Sequence, residues 1–267
     1  MIVGGCDVGS ATGKAVVMKD GEIVSYDIIP STTSPEVTAR TVVDEAVKKA
    51  GLKSIEDLEY IIGTGYGRLK VPFANENISE ITCHARGAHW LSATVRTVVD
   101  IGGQDCKVMS IDEKGSVLEF VMNDRCAAGT GRFFESMARV LHCGLEGIST
   151  LSLESESPAV ITSQCSVFAE SEVVTLINEG IRIVDIAAGV NNSVAGRLNS
   201  MVRKVGLVED VALTGGCAKN EGLAKSLEQK LGVKVVKLPH DPQIAGALGA
   251  AIIAAEKLAK QSEAVSH

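Results

Sequence analysis

The chain has 267 residues, of which 45% are hydrophobic, 22% are charged and only 3% are aromatic. This length suffices for one large domain or two smaller ones, and the net charge of −7 argues against a general nucleic-acid-binding role. The longest apolar stretch near the C-terminus, residues 244–255, is too short to span a bilayer. No signal-peptide pattern precedes the first predicted strand. We therefore expect a cytoplasmic protein that binds neither nucleic acid nor membrane.

The first 65 residues read as three strands, a helix and a fourth strand. The strands are predicted over 2–8, 14–19, 22–29 and 58–65, and the helix over 36–50. Asp20-Gly21 is a typical hairpin turn, and Gly51 is a typical helix stop.

The opening pattern then recurs. A strand ends at Asp100, and two further strands are predicted over 106–112 and 117–122. Asp7 and Asp100 each end a strand before a glycine turn, and they stand 93 positions apart (100 − 7). The repeat predicts an α/β fold with two copies of one βββαβα unit and a nucleotide cleft between them. Cys83 and His84 are interpreted as packing residues of a helix in ITCHARGAHW.

The remainder of the chain is mostly helical. Helices are predicted over 131–142, 165–178, 184–205 and 220–231, with an Ala-rich helix beginning near Pro242, and strands over 158–162, 209–214 and 233–238. Gly144 is interpreted as a helix stop. The stretch Gly246-Ala247-Leu248-Gly249 predicts a close helix-packing face.

Three glycine-containing turns each follow a predicted strand, and glycine lets backbone N–H groups approach a phosphate without a Cβ in the way. They are DVGSATGK at 7–14, DIGGQD at 100–105 and TGGCAKN at 214–220. The candidate binding residues are Gly9, Ser10 and Lys14 in the first turn, Gly102 and Gly103 in the second, and Gly215 and Gly216 in the third. Neither GxxxxGK[ST] nor GxGxxG is present, which excludes a P-loop and argues against a Rossmann site.

Three polar residues of these turns are the candidate catalytic groups. Asp7 and Asp105 carry oxygen ligands suited to Mg²⁺, and Lys14 suits a phosphate oxygen. Gln104 either orients the attacking water or binds phosphate, and the sequence does not choose between these roles.

The order of the three turns resembles the acetate and sugar kinase, heat-shock chaperone and actin ATPase superfamily. That resemblance implies that the first two turns hold the phosphates of ATP or ADP and that the TGG turn lies against the adenosine. It also implies two domains, one formed by 1–94 and completed by a C-terminal helix at 243–267, the other formed by 95–242.

Longer segments narrow the resemblance. TGYGR at 64–68, ISEITCHARG at 78–87, NDRCAAGTGRF at 123–133 and CSVFAESEV at 165–173 resemble ATP-dependent activators of 2-hydroxyacyl-CoA dehydratases. These activators belong to the same broader family as the ATPase subunits of benzoyl-CoA reductase. The match covers almost the whole chain.

Seven cysteines, an odd number, and the lack of a secretory signal argue against a disulfide framework, and no CxxC pair is present. Cys126 and Cys165 are both predicted to open a helix, where the N-terminal partial charge favours a thiolate. The resemblance implies that these two residues bind a [4Fe–4S] cluster shared by a homodimer. The other five are expected to be non-ligands: Cys6, Cys83, Cys106, Cys143 and Cys217.

The resemblance also implies partners. A reduced flavodoxin or ferredoxin would donate an electron, ATP would change the angle between the halves of each subunit, and an iron–sulfur dehydratase would accept the electron. Alternatives are a benzoyl-CoA-type reductase or double-cubane cluster protein as acceptor, a small-molecule kinase with Asp7 or Asp105 as base, and an ATP-gated scaffold. Glu170 and Glu172 are interpreted as residues of the adenosine pocket, as residues that orient the cluster helix, or as solvated surface.

Overall fold

The computed structural model describes residues 1–123, 126–163 and 165–265, except the side chains of residues 263 and 265. Asp124, Arg125 and Gln164 of the two cysteine segments, and Ser266 and His267 of the predicted C-terminal helix, lie outside the described residues. The chain divides into two compact units. Unit 1 comprises Met1–Arg96, Ile111–Leu118 and the chain from Leu238 onward, and unit 2 comprises Thr97–Ser110 and Glu119–Lys237.

Unit 1 contains a five-stranded mixed sheet with the order β3-β2-β1-β4-β5. Its strands are β1 (Ile2–Val8), β2 (Thr12–Lys19), β3 (Glu22–Pro30), β4 (Tyr60–Thr64) and β5 (Glu76–Asn77). Its helices are α1 (Pro35–Lys49), α2 (Glu80–Leu91) and α8 (Ala245–Val265). Strand β1 runs antiparallel to β2 and parallel to β4.

Unit 2 is built on a second five-stranded sheet, with the order β8-β7-β6-β9-β10. Its strands are β6 (Thr97–Ile101), β7 (Cys106–Ile111), β8 (Val117–Asn123), β9 (Val211–Thr214) and β10 (Val235–Val236). Its helices are α3 (Gly131–Val140), α4 (Leu145–Leu153), α5 (Ser166–Asn178), α6 (Ile183–Val205) and α7 (Glu221–Leu231). Strand β6 runs antiparallel to β7 and parallel to β9.

The two sheets have the same strand order when β6–β10 are set against β1–β5. The α/β fold with two copies of one unit, predicted from the repeated aspartates, is therefore confirmed. In the described part of the chain the units differ in their insertions: four α-helices, α3 to α6, separate the third and fourth strands of unit 2, whereas α1 is the α-helix between those of unit 1.

Close backbone contacts in unit 1 depend on glycine. A Cβ at Gly249 of α8 would overlap the backbone oxygen of Cys83 in α2, and one at Gly87 of α2 would overlap the oxygen of Ala245. The close packing predicted for residues 246–249 is confirmed, and Cys83 is completely buried as expected for a packing residue. Among the described residues, no helix is both long enough and apolar enough to cross a membrane.

Two predicted elements were wrong. Residues 158–162 form no strand, because their backbone groups bond to helices instead. The Ala159 N–H donates to the backbone oxygen of Asp185, and the Thr162 N–H donates to the Glu172 carboxylate. Gly144 does not stop a helix; it is the N-cap residue of α4, a helix that the sequence pattern did not predict.

Candidate functional site

The first candidate turn lies in unit 1 around a buried ion pair. Asp7 on β1 and Lys14 on β2 are cross-strand partners. The Lys14 Nζ lies 3.2 Å from the Asp7 Oδ2, and the two side chains are 11% and 4% exposed. Thr64 on β4 is the neighbour of Asp7 on the other side. The following Gly65 has a φ of +89°, and a Cβ there would overlap the Asp7 Oδ1. The pairing of three strands thus places one carboxylate beside one ammonium.

Gly9 and Ser10 form the turn that joins β1 to β2. The Gly9 N–H donates to the oxygen of Thr12 over 3.1 Å, and the Ser31 hydroxyl donates to the Gly9 oxygen over 2.8 Å. A Cβ at Gly9 would lie 2.9 Å from the Lys14 Nζ. The turn backbone therefore passes directly beside the ammonium group of Lys14.

His84, interpreted from sequence as a packing residue, lies close to the same ion pair. It is 6% exposed. A Cβ at Gly246 of α8 would lie 2.8 Å from the His84 Nε2 and 2.9 Å from the Asp7 Oδ2. An imidazole from α2 and a glycine from α8 therefore complete the surroundings of the Asp7 carboxylate.

The second candidate turn lies in unit 2, around a second buried lysine. The Lys107 Nζ lies 2.9 Å from the Asp105 Oδ2 and 3.5 Å from the Asp100 Oδ2. The Thr214 hydroxyl donates to the Asp100 Oδ1 over 2.9 Å. Gly215 has a φ of +82°, and a Cβ there would lie 2.8 Å from the same oxygen. The structure therefore brings the DIGGQD turn and the TGG turn together at Asp100.

The surroundings of the Asp7–Lys14 pair and of the Asp100–Lys107 pair are built alike. Asp100 is the cross-strand partner of Lys107 and of Thr214, as Asp7 is of Lys14 and Thr64. Lys107 was not identified from the sequence, and neither was the packing of Thr64 and Gly65 against Asp7. The signal was available, because Lys107 follows Asp100 by seven positions just as Lys14 follows Asp7.

The remaining residues of the second and third turns have distinct environments. The Gly102 N–H donates to the backbone oxygen of Asp105 over 3.0 Å, and this bond closes the turn. Gln104 is exposed at its tip. Gly216 begins a short 3₁₀ segment, Gly216–Lys219. Gly9, Ser10 and Lys14 thus belong to unit 1, and the other candidates for nucleotide binding belong to unit 2.

The second turn is tied to the segment that contains Cys126. At the start of α3, the Gly131 N–H donates to the Gly102 oxygen and the Arg132 N–H to the Gly103 oxygen, each over 2.9 Å. Five residues upstream, the Cys126 oxygen accepts a hydrogen bond of 3.0 Å from the Asn123 side chain. The DIGGQD turn is therefore bonded directly to the start of α3, which follows Cys126 in the chain.

Cys126 and Cys165 occupy different positions. Cys165 is the exposed N-cap residue of α5, as predicted, with φ −89° and ψ 135°. Cys126 is half-buried and does not open a helix, because the N-cap of α3 is Thr130. The predicted helix N-terminus is therefore wrong for Cys126, and helix-dipole stabilisation of a thiolate applies to Cys165 alone.

The other five thiols are in environments that disfavour a thiolate. Burial raises the pKa of Cys106 to about 11 and that of Cys83 and Cys217 to about 12. Burial also raises the pKa of Cys6 and, at a half-buried position, of Cys143. These five thiols are therefore protonated near neutral pH in the metal-free chain.

One chain offers two accessible cysteines as candidate ligands of an iron–sulfur cluster. Four-iron clusters are held by four cysteine thiolates. Cys165 is exposed and Cys126 is half-buried, so both can be approached from outside the chain. Among the residues whose placement is described, no group of three or more His, Cys, Asp or Glu side chains is arranged to hold a metal ion. Cys126 and Cys165 are thus two accessible thiols, half the number that a four-iron cluster takes.

The fold is an α/β fold with two copies of one unit, each with a buried aspartate–lysine pair beside a glycine turn. Fold likeness extends to a ROK family glucokinase from Streptomyces griseus, with a TM-score of 0.55 at 13% identity. Residues 5–254 match the BadF/BadG/BcrA/BcrD ATPase family, and the chain belongs to that family.

Similar proteins cover nearly the whole chain. The "Activator of lactoyl-CoA dehydratase" of Anaerotignum propionicum is 45% identical, across 96% of this chain and 98% of its own length. The "2-hydroxyisocaproyl-CoA dehydratase activator" of Clostridioides difficile is 41% identical, across 97% and 96%. The solved structure of the Clostridium difficile activator with bound ADPNP gives a TM-score of 0.93 at 39% identity, covering 98% of this chain and 97% of that one. One subunit of the benzoyl-CoA reductase of Thauera aromatica is 35% identical, across 97% and 96%.

Proposed function

We propose that this chain is an ATP-hydrolysing electron-transfer protein that activates an iron–sulfur enzyme, with a 2-hydroxyacyl-CoA dehydratase as the preferred client. The observation that carries this proposal is the 41–45% identity, over nearly the full length, to proteins named as activators of such dehydratases. The hydrogen bonds between the second phosphate turn and the start of α3, downstream of Cys126, support it.

Each unit has its own part in ATP binding. Asp7 and Asp105 would hold Mg²⁺, directly or through water, and Lys14 would contact a phosphate oxygen. The N–H groups of Gly9 and Gly102 close the two turns, and other backbone N–H groups of the turns at Gly9-Ser10 and Gly102-Gly103 would bind phosphate oxygens, while Gly215 and Gly216 would contact the adenosine. Gln104, exposed at the turn tip, orients the attacking water. The domain boundaries 1–94 with 243–267, and 95–242, stay a prediction.

Two copies of the chain would hold one [4Fe–4S] cluster through Cys126 and Cys165 of each. When bound, such a cluster supplies a one-electron redox centre. Val167 and Phe168, in the first turn of α5 beside Cys165, are 66% and 68% exposed and would be buried by a second copy. A cytoplasmic flavodoxin or ferredoxin donates the electron, and the client enzyme accepts it.

The test is the iron and acid-labile sulfide content of anaerobically purified protein. Wild type is expected to contain about two irons per subunit, and Cys126→Ala and Cys165→Ala close to none. Cys143→Ala is the matched control, because Cys143 is also half-buried in unit 2 and is expected to retain full iron. Absence of iron in wild type, with ATP hydrolysis intact, would contradict the electron-transfer function and favour a kinase of the same fold.

A benzoyl-CoA-type reductase is the second candidate client, and the 35% identity to a subunit of such a reductase favours it. The two clients are distinguished by adding the reduced chain and ATP to each purified enzyme. Turnover of the 2-hydroxyacyl-CoA dehydratase, and none by the reductase, is the expected result.

A further inference from the structure

One carboxylate of α5 holds the segment that leads to Cys165. The Glu172 Oε1 accepts hydrogen bonds from the Thr162 N–H and the Thr162 hydroxyl, each over 2.9 Å. The Glu172 Oε2 accepts from the Ser163 N–H, also over 2.9 Å. Ser163 stands two positions before Cys165. Both oxygens of one side chain are therefore used by two successive residues of this segment.

The same segment is anchored at a second point. The Ala159 N–H donates over 2.9 Å to the backbone oxygen of Asp185, at the start of α6. A Cβ at Gly189 of α6 would overlap the Ala159 oxygen, so this part of the chain lies directly on that helix. With no strand to supply partners, residues 159–163 depend on α6 at one end and on Glu172 at the other.

An ionised carboxylate suits this position because it is acceptor-only and can accept several hydrogen bonds at once. Burial alone would raise the pKa of Glu172, but the hydrogen bonds from Thr162 and Ser163 outweigh burial and lower it to about 2. An amide cannot replace it, since the NH₂ group of Gln would face one of the N–H donors.

We infer that Glu172 is the positioning residue for the cluster ligand Cys165: it fixes the backbone of Thr162 and Ser163 so that Cys165 leaves the segment at the N-terminus of α5. The inference rests on the proposed function. It replaces the solvated-surface interpretation of Glu172 and assigns no contact between Glu172 and the cluster.

Glu170 provides a matched control. It is an acidic residue of the same helix, half-buried like Glu172, and stands two positions earlier. Exchanging either residue for Gln removes the same charge from α5, but only Glu172→Gln replaces one of the two oxygens that accept from the Thr162 and Ser163 N–H groups. A difference between the two variants therefore reports the hydrogen bonds rather than the charge of the helix.

The first measurement is hydrogen–deuterium exchange of the peptide that spans residues 159–165, in iron-free protein. Glu172→Gln should exchange at least about tenfold faster there than wild type, because one of the two amides loses its acceptor and meets an NH₂ donor instead. Glu170→Gln should exchange at the wild-type rate, and Glu172→Asp, which keeps the charge, should be intermediate. This readout needs neither iron nor activity.

The second measurement is the rate at which a chelator removes iron from the anaerobic holoprotein. Glu172→Gln should lose iron at least about tenfold faster than wild type and Glu170→Gln, and its reduced cluster should give a broadened electron paramagnetic resonance signal. Unchanged iron release in Glu172→Gln, with faster exchange at 159–165, would overturn the positioning role alone. Wild-type protein without iron would overturn the proposed function together with this inference.

Discussion

Asp100 and Asp105 share one buried ammonium, that of Lys107, which is 2% exposed. Taking one partner out of a buried ion pair is costly because the remaining charges stay in a poorly solvated site. Without the ammonium, Asp100 would keep its hydrogen bond from Thr214, whereas Asp105 would lose the closer of the two lysine contacts. Lys107, which was not identified from the sequence, therefore holds the two carboxylates of the DIGGQD turn together.

Lys107→Met should destabilise the protein by about 3–5 kcal/mol, since it leaves two carboxylates beside an apolar side chain. The melting temperature should fall by more than about 6 °C in calorimetry, and ATP hydrolysis should fall with it. Lys234→Met is the control, because the Lys234 side chain is 90% exposed in its pair with Glu228 and should change stability by less than about 1 kcal/mol. Equal melting temperatures for the two variants would contradict the role of Lys107.

The lowered pKa of Glu172 gives a pH dependence with a definite sign. A carboxyl whose pKa is lower in the folded chain than in the unfolded chain stabilises the fold above its ordinary pKa, near 4.5, and loses that contribution as the pH falls toward about 2. The difference in melting temperature between wild type and Glu172→Gln should therefore be greatest above pH 4.5 and vanish near pH 2. A difference that grows on acidification would refute this.

At the scale of elements, glycines decide how closely helices approach in unit 1. Gly249 and Gly87 allow the backbones of α2 and α8 to touch, and Gly246 leaves room for His84 and the Asp7 carboxylate. Helices α2 and α8 thus lie beside the Asp7 carboxylate, on one side of the Asp7–Lys14 pair. A side chain at any of these positions would push α8 away from β1 and α2.

Gly249→Ala should lower the stability of the fold and Gly196→Ala should raise it, although both residues lie within helices. Alanine favours a helix interior by about 1 kcal/mol over glycine, and near Gly196 the closest atom to a new Cβ is the Lys230 Cε at 3.8 Å. Gly249→Ala instead overlaps the Cys83 oxygen and should cost about 1–3 kcal/mol. Thermal unfolding of the two variants checks this, and a stabilised Gly249→Ala would exclude the close contact of α2 with α8.

At the scale of the whole molecule, association and cluster binding should depend on each other. If each chain supplies two of four ligands, removing the cluster leaves only the remaining contact surface, including Val167 and Phe168, to hold two copies together. Sedimentation should show a dimer for anaerobic wild type and for Cys143→Ala, and a shift toward monomer for Cys165→Ala at low concentration. A monomeric wild type that retains its iron would rule out the shared cluster.

Much of this protein was determined by local sequence pattern. Strand, glycine turn and strand recur at Asp7 and Asp100 because a turn after a strand needs small residues at fixed positions, so the duplication was readable without a structure. The N-cap position of Cys165 followed for the same reason, from the helical pattern that begins at Ser166. Family resemblance then singled out Cys126 and Cys165 among seven cysteines.

Other features were decided only by tertiary contacts. Thr214 bonds to Asp100 across 114 positions of sequence, and no local pattern encodes which distant hydroxyl reaches a carboxylate. Residues 158–162 have the apolar composition of a strand, yet helices α5 and α6 satisfy their backbone groups, and with them Glu172 changes from a surface acid into an anchor for the segment before Cys165. Sequence determines which groups the chain carries, whereas folding decides which of them are buried together, because desolvation and hydrogen bonding depend on neighbours that only the folded chain supplies.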